Sequence, residues 1–385
     1  MKELSIGIVG YKFMGRAHSN GWKKAPLFFD LPFKPVLKAV CGRNEAALNE
    51  FARKWGWQET ETSWRKMVER PDIDVIDIAA PQHLHYDIAI AAAKNGKHVF
   101  CEKPLAMSSA QAEEMLEACE QNRVHHFLNH NYRRVPAISL AKKLIDTKKI
   151  GQIYHWRCCY QQDWVMDPNF PLTWQLQQEF AQSGPQWDLN SHCVDMALYL
   201  IGKITAVSAL TGHFITERPL AEEATSHNLK VRAKSIESGK VTVEDAALMM
   251  VRFENGAMGS FEATRFAMGR KNRLSFEIYG SSGAITFDLE RMNELRYYSA
   301  EDDQDTKGFK TILATAESHK YMDHWWPEGH IIGYEHTFVH AMADFLTSLK
   351  EDEMISPNFT DGIQGLKVLE AGIRSAQTGN VISII

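Results

Sequence analysis

Apolar and polar positions alternate along this chain in two different rhythms. In the first third, short apolar runs take turns with helical patterns. Leu4–Val9 predicts a strand, and Gly15–Lys24 the helix after it. Pro35–Cys41 predicts a second strand, and Asn44 caps a helix running toward Trp55. Val75–Ala79 is a third strand, followed by "PQHLH" and a helix from Tyr86 to Asn95 that Gly96 ends. His98–Cys101 is a fourth strand, and a helix from Ser109 to Asn122 leads to a fifth at Val124–Leu128. Strands alternating with helices of this length imply βαβ units and a doubly wound parallel sheet.

After about Asn131 the rhythm changes. Gln152–Tyr160 is a longer strand of mixed polarity, and Ala246–Phe253 and Ala257–Thr264 are joined by Asn255-Gly256, a hairpin signal. Leu274–Tyr279 and Ala284–Asp288 flank the turn "GSSG", and Glu294–Tyr298 follows. These predict an antiparallel sheet, hydrophobic on one face and covered by helices on the other. The polar stretches Glu217–Lys240 and Glu301–Lys307 read as loops or insertions, and helices near Tyr334–Leu349 and Asp361–Ala376 close the chain. The fold class is therefore α/β. A Rossmann domain over 1–131 is followed by a second α/β domain over 132–385, whose last helix can pack back on the first domain.

Composition narrows the function. A chain of 385 residues exceeds what one core usually serves. A net charge of −5 argues against a nucleic-acid binder, which needs a basic face. No apolar run approaches the ~20 residues of a membrane span, and "MKELSIGIVG" lacks the features of a secretory signal. The six cysteines are scattered without ligand or disulfide spacing, and adjacent Cys158 and Cys159 point to opposite faces of a strand. A cytoplasmic protein with reduced thiols is the expectation.

Four motifs carry chemistry. "GYKFMG" follows the first strand and opens the first helix, the context of a pyrophosphate loop, with Gly10 and Gly15 in the outer roles and Lys12 in place of the middle glycine. A plain βα turn is the alternative. The second strand ends "VCGRN", so Gly42 and Arg43 stand where an acid would hold the ribose of NAD; Arg43 can pair with a 2′-phosphate or stack on adenine, which leaves NAD or NADP open. "FCEKPLA" places Glu102, Lys103 and Pro104 at the carboxyl end of the fourth strand, where open α/β sheets bind ligands. In "WDLNSHCVDMALYLIG", Asp188 and His192 stand four apart, on one face of a helix with the apolar stripe Val194, Ala197, Leu198 and Ile201. Asp188 can instead be an N-cap; a metal site would need a third ligand that the spacing does not supply.

Together these residues resemble the Gfo/Idh/MocA family (glucose–fructose oxidoreductase, inositol dehydrogenase and relatives). The resemblance spans nearly the whole chain and rests on the glycine loop, "EKP" at Glu102–Pro104, "NYRRVPA" at Asn131–Ala137, the Asp188/His192 pair and the late "GYEHTFVHAMADFL". The form "GYKFMG" is similar to that of the family's sugar-dehydrogenase branch. The resemblance implies an N-terminal Rossmann domain and a C-terminal domain on a large, mostly antiparallel sheet that forms subunit interfaces, hence a homo-oligomer, dimer or tetramer. It implies an NAD(P)-dependent dehydrogenase of a secondary hydroxyl on a sugar, glycoside, anhydrosugar or inositol, with Lys103, Asp188 and His192 in the catalytic roles and no metal.

His192 starts near neutrality and suits a base, whereas Lys103 would need strong depression. Cofactor contacts are expected from Gly10, Tyr11, Lys12, Phe13, Met14 and Gly15, from Arg43, from Pro81, His83 and His85, and from Glu102, Lys103 and Asn131. Substrate contacts are expected from Lys103, Arg133, Trp164, Trp174, Asp188, His192 and His330. Rival expectations keep the fold: an NAD-dependent glycosidase or lyase working by transient oxidation, or a non-catalytic NAD(P)-binding regulator.

Overall fold

A computed structural model describes residues 2–220 and 237–384. In chain order the first part runs β1 (Lys2–Val9), α1 (Phe13–Phe28), β2 (Phe33–Cys41), α2 (Glu45–Trp55), β3 (Glu59–Glu61), α3 (Trp64–Glu69), β4 (Val75–Ile78), α4 (His85–Lys94), β5 (His98–Glu102), α5 (Ser109–Gln121) and β6 (His126–Asn129). Next come α6 (Pro136–Asp146), β7 (Ile153–Gln161), α7 (Gln178–Ala181), α8 (Pro185–Asp188), α9 (Asn190–Leu200), β8 (Ile204–Gly212), β9 (Glu217–Pro219) and β10 (Ser238–Lys240). The chain ends with β11 (Ala246–Phe253), β12 (Met258–Thr264), β13 (Arg273–Gly280), β14 (Gly283–Asp288), β15 (Glu294–Ser299), β16 (Lys310–Leu313), α10 (Tyr334–Glu351), α11 (Phe359–Thr378) and β17 (Ile382–Ser383).

Two compact units emerge: Met1–Arg134 with Ile332–Gln364, and Val135–Ile331 with Gly365–Ile385. The expected boundary at 131/132 falls just before the first break, and the stretch that carries α10 clusters with the first unit.

The first unit holds a six-stranded parallel sheet in the order β3-β2-β1-β4-β5-β6, a Rossmann arrangement. All four residues of β4 are buried, as befits a central strand covered on both faces. Asn44 caps α2 by accepting from the Ala47 N–H at 3.0 Å, and Gly56 ends that helix in the left-handed region. Helix α1 runs on past Lys24 to Phe28, since Phe29 N–H still reaches the Ala25 carbonyl and Pro26 falls in the last turn. Within the same unit α10 lies on α1, where a Cβ at Gly21 would strike the Met342 sulfur. Edge strand β3 and short α3 have no counterpart in the sequence reading, because "ETE" shows no apolar alternation and the helix is only 6 residues long.

The second unit is built on a nine-stranded sheet, β16-β15-β14-β13-β7-β12-β11-β8-β17. It is mostly antiparallel, as the resemblance implied, with one parallel pair: β7 and β12 run parallel while their other neighbours run antiparallel. Strands far apart in sequence meet there, and periodicity alone cannot say which strand lies beside which. The helices also lie on the apolar face of this sheet, not on the opposite one. In β11 Ala247, Met249, Val251 and Phe253 are buried, with α8 packed on that strand, while Leu248, Met250 and Arg252 face outward. Burying the apolar face under helices is what removes that surface from water. The Asn255-Gly256 hairpin forms, with Gly256 at φ +88° and Asn255 Oδ1 accepting from Ala257 N–H. The ends of the polar stretch Glu217–Lys240, expected as loop, pair as strands β9 and β10; its middle, 221–236, lies outside the described residues.

Candidate active site

In the first unit the expected cofactor residues gather at the carboxyl ends of the parallel strands. Gly10 follows β1 with φ +116°, and a Cβ there would collide with the Ala79 carbonyl. A Cβ at Gly15 would collide with the Gly10 carbonyl. Both outer glycines are thus required by geometry, and the 16-residue helix α1 offers its N-terminus beside them. Lys12 is the N-cap at φ −81°, exposed, and needs no glycine. The loop therefore tolerates lysine at the middle position because φ there is negative.

Gly42 has a reason as well. The Tyr11 ring occupies the space a Cβ at position 42 would fill, so no acidic side chain fits there. Arg43 next to it is exposed. This cradle fits a dinucleotide: the glycines leave room for a pyrophosphate against the α1 N-terminus, while Tyr11 and Arg43 flank the end of β2.

The Glu102–Lys103–Pro104 turn rests on a closed set of charged groups. His18, on α1, donates from Nδ1 to Asp77 at 2.8 Å and from Nε2 to Glu102 at 2.9 Å. Trp22 Nε1 donates to Asp77 at 2.7 Å, and Asn129 Nδ2 to Glu102 at 2.7 Å. Burial pulls the His18 imidazole down, but Asp77 and then Glu102 outweigh it and hold it up at about 10. Burial pushes the Glu102 carboxyl up; His18 and Asn129 overcome this and hold it below the usual range. Glu102 thus has both oxygens engaged internally, the second taking the Lys103 N–H at 3.2 Å. It anchors the turn from below.

His85 is engaged likewise. Buried, it sits between the carbonyls of Ala80, 2.9 Å from Nε2, and Pro104, 3.0 Å from Nδ1, so it fastens the end of β4 to the cis Lys103–Pro104 turn. Asn131 Nδ2 donates to Thr337 Oγ1 at 2.8 Å, and the Arg133 guanidinium is turned to Ser356 at 2.7 Å and Asp361 at 3.4 Å. Both are buried and tie the unit together. Lys103, Pro81 and His83 are half-buried at the sheet edge.

In the second unit Asp188 and His192 stand on two consecutive short helices, where the spacing predicts one. Asp188 ends α8 and His192 lies in the first turn of α9, with Leu189 between them still in helical conformation. Asp188 is not an N-cap. Its carboxylate accepts from Arg265 Nη2 at 2.8 Å. Glu244 sets the start of α8, accepting from Gln186 N–H at 2.8 Å and from Ser183 Oγ at 2.7 Å. His192 is buried, edge-on to the Tyr160 ring at 5.5 Å. The expected apolar stripe understates α9, which is buried almost all round. Trp164 is half-buried and donates to Gln162 at 2.8 Å; Trp174 is half-buried in a turn (Trp174–Leu176); His330 is exposed in a loop, its Nδ1 2.7 Å from the Pro327 carbonyl. Among the described residues no group of three or more His, Cys, Asp or Glu is placed to hold a metal ion.

Sequence reasoning missed His18, Asp77 and Arg265. Their partners lie 59 to 84 positions away along the chain, so no local spacing flags them.

Two family models match this chain: an oxidoreductase family with an NAD-binding Rossmann fold over residues 4–130, and a Gfo/Idh/MocA C-terminal domain over 138–286. A levoglucosan dehydrogenase of Pseudarthrobacter phenanthrenivorans is 42% identical over 378 residues, covering 98% of this chain and 97% of that one. The chain belongs to the Gfo/Idh/MocA family. It is an oxidoreductase of that family, with an NAD-binding Rossmann domain at its N-terminus. A solved levoglucosan dehydrogenase in complex with NADH and L-sorbose superimposes with a TM-score of 0.94 at 40% identity, each chain covered in full. A myo-inositol 2-dehydrogenase of Thermotoga maritima is 24% identical, covering 97% of this chain and 96% of that one. Among the described residues, no helix is long and apolar enough to cross a membrane.

Proposed function

We propose that this protein oxidises a secondary hydroxyl of a sugar-like substrate, an anhydrosugar, glycoside, free aldose or inositol, with NAD as hydride acceptor. The observation that carries this reading is the full-length likeness to a levoglucosan dehydrogenase at 42% identity, with Lys103, Asp188 and His192 all present. NAD, when bound in the glycine cradle, supplies the electrophilic carbon that takes the hydride. His192 takes the hydroxyl proton, since an imidazole titrates near the working pH. Lys103 holds the hydroxyl and stabilises the developing alkoxide charge. Asp188 orients the ring through neighbouring hydroxyls, and Trp164 and Trp174 offer apolar faces to it.

The test is a panel of inositols, free aldoses, anhydrosugars and glucosides, each incubated with NAD and with NADP. Formation of NADH with at least one of them is the expected outcome. If none yields reduced cofactor while a glycoside is cleaved, redox-assisted cleavage replaces the dehydrogenase reading. His192→Ala with wild-type turnover, beside an inactive Lys103→Ala, would reverse the roles of the two residues.

We also infer a homo-oligomer formed through the outward face of the nine-stranded sheet in the second unit. Leu210, Leu248, Met250 and Met258 stand exposed on that face, Leu248 directly opposite Leu210 in register. Large apolar side chains left exposed on one face of a sheet mark an interaction site. Leu248→Lys with Met250→Lys should lower the mass measured by light scattering; an unchanged mass, or a wild-type protein that runs as a monomer, would refute the inference.

A further inference from the structure

Arg265 follows directly on β12, and its guanidinium is 1% exposed while the Asp188 side chain is 34% exposed. From this buried position it meets three of the elements expected to face the sugar. Nη2 donates to Asp188 Oδ2 at 2.8 Å. Nη1 donates at 3.2 Å to the carbonyl of Gln175, the neighbour of Trp174 in its turn. The guanidinium carbon lies 5.4 Å from the centroid of the Trp164 ring. The arc continues from Trp164 to Gln162, from Gln162 to Asn272 at 2.8 Å, and from Asn272 to the Tyr160 hydroxyl at 2.8 Å, where the Tyr160 ring abuts His192.

A second buried arginine in the same unit makes a useful contrast. Arg218 spends its donors on the carbonyls of Asp167, Phe170 and Val165, all within one loop. That is a scaffold's bonding pattern. Arg265 instead directs a donor at a carboxylate that remains open to solvent. Its charge is permanent and its fork is planar, so it can fix both the ionisation and the direction of Asp188 while stacking on an indole. A lysine in its place would keep the charge but lose the second donor and the flat face.

We propose that Arg265 is a positioning and specificity-determining residue. It holds Asp188 as an oriented carboxylate and locks Trp164 and the Trp174 turn around it, so that a ring substrate is accepted in one orientation. The inference rests on the reading above that Asp188 meets the substrate.

The experiment measures kcat, KM and the pH profile of kcat/KM for wild type, Arg265→Gln, Arg265→Lys, Asp188→Asn and the double variant Asp188→Asn/Arg265→Gln. The substrate is whichever sugar of the panel reduces NAD, and NADH affinity is followed by fluorescence as a check on the fold. Arg265→Gln should lower kcat/KM about tenfold or more, the scale of one charged hydrogen bond, mainly by raising KM for the sugar. NADH affinity should stay unchanged, and the acid limb of the profile should move to higher pH, because removing the cation makes Asp188, and His192 four positions on, easier to protonate. Arg265→Lys should keep the acid limb in place and recover only part of the lost KM.

In the Asp188→Asn background, Arg265→Gln should cost several-fold less than in wild type, since only its hold on Trp164 and the Trp174 turn is then left to lose. Equal losses in both backgrounds, or an acid limb that does not move, would overturn the proposal for Arg265 alone. If Arg265→Gln does not fold, the Arg265→Lys comparison with and without Asp188→Asn decides by the same coupling. An Asp188→Asn enzyme indistinguishable from wild type would instead remove the role given to Asp188, and Arg265 with it.

Discussion

The two units hold their chemistry-bearing residues in opposite ways. In the first, His18, Asp77 and Glu102 are all buried and are spent on one another; what they support, Lys103, stands half-buried above them. In the second, the carboxylate itself is partly open, and the buried Arg265 guanidinium backs it. The difference separates two uses of charge. A buried carboxylate with every oxygen engaged is a foundation, because exposing it to a ligand would break bonds that offset its desolvation. An oriented carboxylate with one side in solvent still has lone pairs to offer.

Perturbing each region should therefore give different signatures. The largest effect is expected from the residue each unit offers for the reaction. Lys103→Ala and His192→Ala should each lower kcat by about 10²- to 10⁴-fold, the usual range for an acid–base group, with thermal unfolding close to wild type. A variant that lost activity only by unfolding would collapse the distinction between foundation and chemistry.

His18→Ala attacks the foundation itself. It leaves two carboxylates facing each other without their cation, and should cost about 3–5 kcal/mol of stability in denaturant titrations. A loss confined to kcat, with stability intact, would show that the cluster belongs to the reaction instead.

A smaller and more selective effect is the pH dependence of stability. The His18 pKa is raised from 6.5 to about 10, so its contribution is complete below pH 6.5 and is lost as pH rises toward 10. The Glu102 pKa is lowered, so its contribution is complete above about 4.5 and is lost at more acid pH. Wild-type unfolding temperature should fall between pH 6.5 and 10, and His18→Gln should flatten that slope. A slope that is the same in both proteins would place the buried charge elsewhere.

The sequence carried those features whose cause is local. Gly10 and Gly15 could be assigned as a loop because their spacing sits between a strand pattern and a helix pattern. Asn44 could be read as a cap because a cap acts on the N–H groups of its own helix. Asp188 and His192 could be paired because four positions along a helix are one turn. Family membership followed from such short stretches in combination, and the comparisons bear it out.

What the sequence left open depends on contacts between distant segments. His18 reads as one more histidine on a helix until Asp77 and Glu102 close on it from β4 and β5. Glu102, His85, Asn131 and Arg133 stand at the right edge of the sheet for a ligand, yet their side chains turn inward, a choice made by partners that the linear pattern does not reveal. Arg265 carries no signal at all in "ATRFAM"; it matters because β12 ends where α8 ends. Local spacing determined the loop, the caps and the pairing of Asp188 with His192, because a turn of helix is a short-range object. Only the tertiary structure decided which charges are foundation and which face outward, because burial and the identity of a partner exist only once the sheets have closed.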